Sequence, residues 1–412
     1  MIVLALFSSA LADPSLRLFG DVKSMHMAVF PYENAIFMPE EPVGQGLLSS
    51  RLGADARAGV FRLQVHHVVG VESGSDTAAL TSLSSSGDIP QVVDLSWSIH
   101  DEVGVGEAPP ELGVSGRVDR CVLSVGLEKA AIAVGRQPLT LGRSLLFTPL
   151  DLVNPFHPAT VDQEYKPGVD AARVDVFAGM ASQLTLAAAY AGDWAPEDMM
   201  VVGYGQTTLG LWDVGVLAGS VYSDGVFGVS GSGSVGAVGV RAEGTLTLPK
   251  DDADPFVRTV LGADWMPISD LMVSGEFYFQ SLGADDPNEY LVFALEDRFE
   301  RGELWTMGQY YFGGVVSYQL SPLLGFGVSS IANLADPSVM LGPGLTWSVS
   351  DNAEVSAGMW AGLGERPGEV SQEDLLSLLV AGGEEDVARA LGVKSEFGLI
   401  PTAAFVQMKA YF

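Results

Sequence analysis

The chain has 412 residues, one cysteine and a formal net charge of −30, from 51 acidic and 21 basic side chains. That balance excludes binding to a nucleic-acid backbone, which needs dense Lys and Arg. A single cysteine excludes an internal disulfide framework and any cysteine-built zinc site.

In chain order, residues 1–12 read as a signal peptide. An apolar run from Ile2 to Phe7 is followed by Ala10-Leu11-Ala12, a small-residue cleavage site, although no basic segment precedes the run. Residues 13–412 read as one domain with no internal boundary. Extended segments are expected at 15–30, 47–69, 91–100, 114–127, 129–136, 170–179, 182–191, 203–211, 213–222, 224–231, 236–248, 254–265, 270–280, 303–320, 323–333, 338–350, 352–363 and 395–412. Within them the hydropathy period is two. In "LMVSGEFYFQ", Leu271, Val273, Phe277 and Phe279 share one side, and Ser274, Glu276, Tyr278 and Gln280 share the other. "VRAEGTLTL" sets Val240, Ala242, Leu246 and Leu248 against Arg241, Glu243, Thr245 and Thr247. Alternation of this kind marks strands with one apolar and one wet face.

The connections alternate too. Tight turns fall at 127–130, 179–182, 266–270, 320–322 and 348–352, and long segments near 31–45, 137–169, 281–302 and 364–394. Short turns at one end and long loops at the other are the pattern of a barrel crossing an outer membrane. Aromatic residues near strand ends, among them Trp212, Trp265, Trp305, Tyr310, Tyr311, Trp347, Trp360 and Phe412, fit girdles at the membrane boundaries. Unpaired sheet edges are too costly in hydrocarbon, so the sheet must close. The expected fold is therefore all-β, a transmembrane antiparallel barrel of eighteen strands, with sixteen as the alternative. Its surroundings would be outer-membrane lipid and lipopolysaccharide. Within the 364–394 loop, Leu375, Leu378 and Leu379 have helical spacing, so a short helix is expected there.

The segment 137–169 is too long for a hairpin and carries stiffening prolines at Pro149, Pro155 and Pro158. Its apolar members, including Leu146, Phe147, Leu152 and Phe156, call for a surface to pack on. Basic residues cluster around it. We expect a loop folded into the lumen as a constriction, with Arg136, Arg143, Arg173 and Lys166 as lining bases and Asp151, Asp162 and Glu164 as the facing acids. Opposed charges across a narrow passage screen solutes by charge and dipole. The simpler alternative is that the pairs only pin the loop to the wall.

This stretch resembles porin-like outer-membrane barrels of Gram-negative bacteria. In that family a GRQ-x-x-x-x-G run leads into F-x-P-x-D-L-x-N-P-F-x-P and then D-x-E-Y/R-K/R-x-G-x-D. The matching residues are Gly135, Arg136, Gln137, Gly142, Phe147, Pro149, Asp151, Leu152, Asn154, Pro155, Phe156, Pro158, Asp162, Glu164, Tyr165, Lys166, Gly168 and Asp170. Leu141 stands where such sequences often carry tryptophan. The terminal Phe412 looks like the signal read by barrel-insertion machinery, a partner the resemblance implies. It also implies passive passage of small hydrophilic solutes, while oligomerisation stays open.

Other constellations carry less. "GSGSVG" at 231–236 fits a dinucleotide fingerprint, but a period-two segment follows where a helix is required. His66 and His67 are adjacent, so on a strand they face opposite ways and cannot chelate together. No spacing suggests a catalytic triad, so no enzyme activity, cofactor or metal is expected. Two rival readings remain: a plugged surface barrel or adhesin, and a soluble secreted β protein that binds carbohydrate.

Overall fold

The structure, a computed structural model, describes residues 14–32, 41–74, 96–101, 111–153, 164–190, 199–251, 253–300, 302–367 and 384–412. The expected signal peptide lies outside these residues. In chain order the strands are β1 (Ser15–Phe30), β2 (Val43–Ala58), β3 (Phe61–Gly74), β4 (Ser96–Asp101), β5 (Glu111–Gly126), β6 (Ala130–Gln137), β7 (Val169–Ala178), β8 (Ser182–Tyr190), β9 (Met199–Leu209) and β10 (Trp212–Val221). They continue as β11 (Asp224–Val235), β12 (Val238–Leu248), β13 (Phe256–Ile268), β14 (Leu271–Gln280), β15 (Tyr310–Ser321), β16 (Leu324–Asn333), β17 (Ser338–Ser350), β18 (Ala353–Leu363) and β19 (Thr402–Tyr411).

Each wall strand pairs antiparallel with its neighbours, and β1 pairs with both β2 and β19. The ring is closed, with 18 strands. The extra strand is β4. It pairs only with the part of β5 that extends past the end of β6, while β3 runs along the other side of β5.

The sequence reading therefore reaches the right number by two offsetting errors. The segment 47–69 is a hairpin, turned at Gly59-Val60, where Gly59 adopts φ 57°. That left-handed backbone suits glycine. The segment 91–100 contributes only β4, which is not part of the ring.

The side-chain pattern inverts that of a soluble protein. Leu261 of β13 points outward and is 61% exposed, whereas Glu276 of β14 points inward and is 1% exposed. Apolar outward positions such as Leu18, Leu52, Val216 and Val229 form a belt for hydrocarbon. Trp212, Trp265, Trp347 and Phe412 are exposed at the short-turn end, and Tyr310 beside Phe279 at the long-loop end. Tyr311 and Trp360 do not join these girdles. Tyr311 is fully buried inside the ring, and Trp360 packs against the same inner cluster. Trp305 lies in the β14–β15 loop rather than on a wall strand.

Closure occurs at the last residue. The Gly20 amide donates to the Phe412 carbonyl at 2.9 Å, and the Phe412 amide donates back at 3.0 Å. The Phe412 ring lies over Gly20, where an added Cβ would sit 2.6 Å from its Cζ. Between β14 and β15 the chain forms two short helices, α1 (Tyr290–Ala294) and α2 (Asp297–Glu300). The loop after β18 contains α3 (Glu384–Ala390). Leu375, Leu378 and Leu379 lie outside the described residues.

Candidate functional site: a loop fastened across the lumen

The inward segment begins where β6 leaves the wall. Gly135 has φ 118°, and a side chain there would collide with the Cys121 carbonyl. The kink lets Arg136 and Gln137 both turn inward. Arg136 is buried and forks onto Asp170 across the stem, with Nε–Oδ1 and Nη2–Oδ2 both 3.0 Å, and its Nη1 donates to the Val118 carbonyl at 2.8 Å. Gln137 donates to the Ala171 carbonyl at 3.0 Å. The two ends of the loop are thereby stapled.

Past the stem, Leu139, Leu141, Leu150, Leu152 and Val153 pack on inward apolar residues of β8–β11, among them Ala187, Val202 and Leu217. Burying each leucine of this patch is worth about 1.5–3 kcal/mol. At the loop's turn the backbone has no secondary structure, so its amides need acceptors. The wall supplies them as carboxylates. Glu243 of β12 accepts from the amides of Arg143 and Ser144, the latter at 2.9 Å. Glu276 of β14 accepts from Leu145 at 2.6 Å, Leu146 at 2.9 Å and Phe147 at 3.0 Å, and from Arg241 Nε at 2.8 Å. The Phe147 ring then stacks on Tyr278 at 4.7 Å and 4°.

The return limb is fastened elsewhere on the ring. Glu164 reaches Lys23 of β1 at 2.9 Å and Lys409 of β19 at 3.5 Å. The Tyr165 ring receives Arg51 at 4.1 Å and Lys23 at 5.1 Å. Arg51 also pairs with Asp119, which projects from the irregularity in β5. One limb thus sits on an acidic wall and the other on a basic wall.

Inside the loop, Lys166 and Asp151 form a buried pair at 2.6 Å, and Lys166 also donates to the Leu139 carbonyl. Burial, partly offset by the pair, pushes the Asp151 carboxyl up to about 6 and lowers Lys166. Pro149 lies within the turn closed by the Asp151 amide and the Thr148 carbonyl at 3.0 Å.

The expected site residues therefore separate. Arg143 and Arg173 are 36% and 37% exposed in the lumen. Arg143 bonds Asp213 and Gln206, each at 2.8 Å, and Arg173 lies 3.0 Å from Asp175. Arg136, Asp151 and Lys166 are buried in the loop's base, and Glu164 ties the return limb. Asp162, Asn154, Pro155, Phe156 and Pro158 lie outside the described residues. Sequence reasoning placed Glu243, Glu276 and Arg241 on wet faces but did not identify them as anchors. Nothing in a strand's own alternation shows which wet residue meets a loop from over a hundred positions away.

No family model and no curated protein sequence matches the chain. Solved structures do. OccK11 (OpdR) of Pseudomonas aeruginosa aligns with a TM-score of 0.56 at 8% identity, covering 98% of this chain and 97% of that one. OccK5 (OpdH) of the same organism gives 0.53 at 9% identity, covering 98% of both. OccK2 (OpdF), solved in complex with glucuronate, gives 0.54 at 9%, covering 98% and 99%. At such identities the likeness is one of fold. The chain has the closed β-barrel fold of these proteins.

Proposed function

We propose that the barrel is a passive channel for small hydrophilic solutes, screened by the loop between Gln137 and Val169. The reading rests on the fastening of that loop to well-separated parts of one closed ring, through Glu276 on one side and Lys23 on the other. A loop held this way narrows a water-filled lumen at a fixed place. Arg143 and Arg173 are the loop and wall bases with surface to offer a passing solute. The glucuronate held by OccK2 is a solute of the size class we assign.

Reversal potentials of single channels in planar bilayers under a salt gradient test the selector. Replacing Arg143 and Arg173 by alanine leaves Asp213 and Asp175 without cations, so selectivity should move toward cations. An unchanged reversal potential removes both arginines from selection. Absence of any current from the wild type would favour the plugged surface barrel instead.

A further inference from the structure

Between the inward loop and the β14–β15 loop lies a cavity of about 30 Å³. Its lining includes Phe147 and Thr148 from the first loop, Leu304 and Trp305 from the second, and Tyr278 and Arg258 from the wall. Arg258 is only 6% exposed. Its Nη1 donates to the Glu303 carbonyl at 3.0 Å. Its Nε and Nη2 have no acceptor among the described residues. Two acids, Asp151 and Glu303, also line the cavity, and each is paired with a cation of its own, Asp151 with Lys166 at 2.6 Å and Glu303 with Arg298 at 3.1 Å.

A guanidinium cannot shed its proton when buried, and a buried charge without a counter-charge is costly. The Nε and Nη2 hydrogens form one side of a planar fork, the side that receives a carboxylate or a single round anion. A cavity of about 30 Å³ holds roughly two water-sized groups, since one water needs about 10–15 Å³. That admits a halide, formate or the head of a carboxylate.

We infer that Arg258 holds a small monovalent anion at the joint between the inward loop and the β14–β15 loop. The anion completes the charge balance of that joint and links Phe147–Pro149 to the outer loop. The site serves structure and does not depend on whether the barrel conducts.

The test uses the full-length purified barrel in detergent at constant ionic strength. Sodium bromide is exchanged for sodium methanesulfonate, a bulkier anion, and the unfolding midpoint is followed. A bound ion stabilises the folded form in a saturable way. The wild type should show a saturable rise with bromide, and Arg258→Gln should show none. Arg258→Lys should keep the rise at higher bromide. If sodium formate gives the same saturation, the site accepts carboxylates, including those on solutes. If bromide alone does, it takes free halide. Bromide-soaked crystals of the wild type should carry an anomalous peak beside Nε and Nη2, which decides the matter even if Arg258→Gln fails to fold. A wild type with no such peak and no preference for bromide over methanesulfonate overturns the inference in favour of water.

Discussion

Glu276 shows how much one side chain can organise in this lumen. Its carboxylate accepts the amides of Leu145, Leu146 and Phe147 and also meets Arg241. Removing it strands buried donors, each costing about 1–3 kcal/mol when left unmet. Glu276→Ala should therefore release the turn of the inward loop without opening the ring. Limited proteolysis would show new cleavage between Gly142 and Leu152, while the barrel keeps its heat-modifiable gel migration. Intact protection of that segment would mean that packing of Phe147 on Tyr278 suffices alone. The Asp151–Lys166 pair acts differently. Breaking a buried pair by removing one partner costs about 3–5 kcal/mol. Asp151→Ala should loosen the loop's base in the same assay.

Among the elements, the outer loops meet at Glu396, ahead of β19. Its carboxylate accepts from the Met307 amide at 2.9 Å, from Asn333 at 2.8 Å and from the Tyr311 hydroxyl, and Tyr290 of α1 and Asp336 face the same cluster. Burial pushes this carboxyl up to about 7 from an ordinary 4.5, against the pull of those donors. The folded junction therefore holds a proton that an opened loop would release between these values. By linkage, its stability falls as pH rises through that window and levels off above about 7. Hydrogen exchange of Glu384–Ile400 should quicken over the same interval in the wild type. Glu396→Gln, which mimics the protonated group, should flatten the profile. A variant with the wild-type profile would place the titration elsewhere.

The elements also show what the sequence could and could not reveal. Alternation placed Glu276 and Tyr278 on the inner face and Phe277 on the outer one, because a strand's side chains have only two directions. It missed the turn at Gly59-Val60, since a single glycine between apolar strands is a weak break. It promoted 91–100 to a wall strand, because periodicity cannot say whether a strand finds one partner or two. The girdle assignment failed for Tyr311 and Trp360 because an aromatic near a strand end can face either way. The apolar content of the stiff, proline-bearing segment called for a packing surface, and its described part, with Leu139, Leu150 and Phe147, packs on inward wall residues. Its anchors were not legible, because they depend on how the ring closes.

At the scale of the whole molecule, stability rests on an apolar belt outside and a ring without edges. Leu261, outward and mid-strand on β13, faces the hydrocarbon. Leu261→Arg should destabilise the barrel by about 2–4 kcal/mol in lipid, as charges at the bilayer midplane do. Unfolding in vesicles by urea would measure it, and an effect near zero would contradict the assigned outer face. The seam offers a second check. Gly20 leaves the space that the Phe412 ring fills, and an added Cβ would meet both that ring and the Arg51 carbonyl at 2.6 Å. Gly20→Val should slow or block closure, seen as unfolded chain on unheated gels.

In the proposed channel the fastened loop sets the width of the lumen. Single-channel current in planar bilayers, compared between the wild type and a Glu243→Gln, Glu276→Gln double variant, tests it most directly. The wild type should show a steady conductance, and the variant, whose loop has lost its carboxylate anchors, a larger and noisier one. Equal conductances, or no current from either protein, would contradict it.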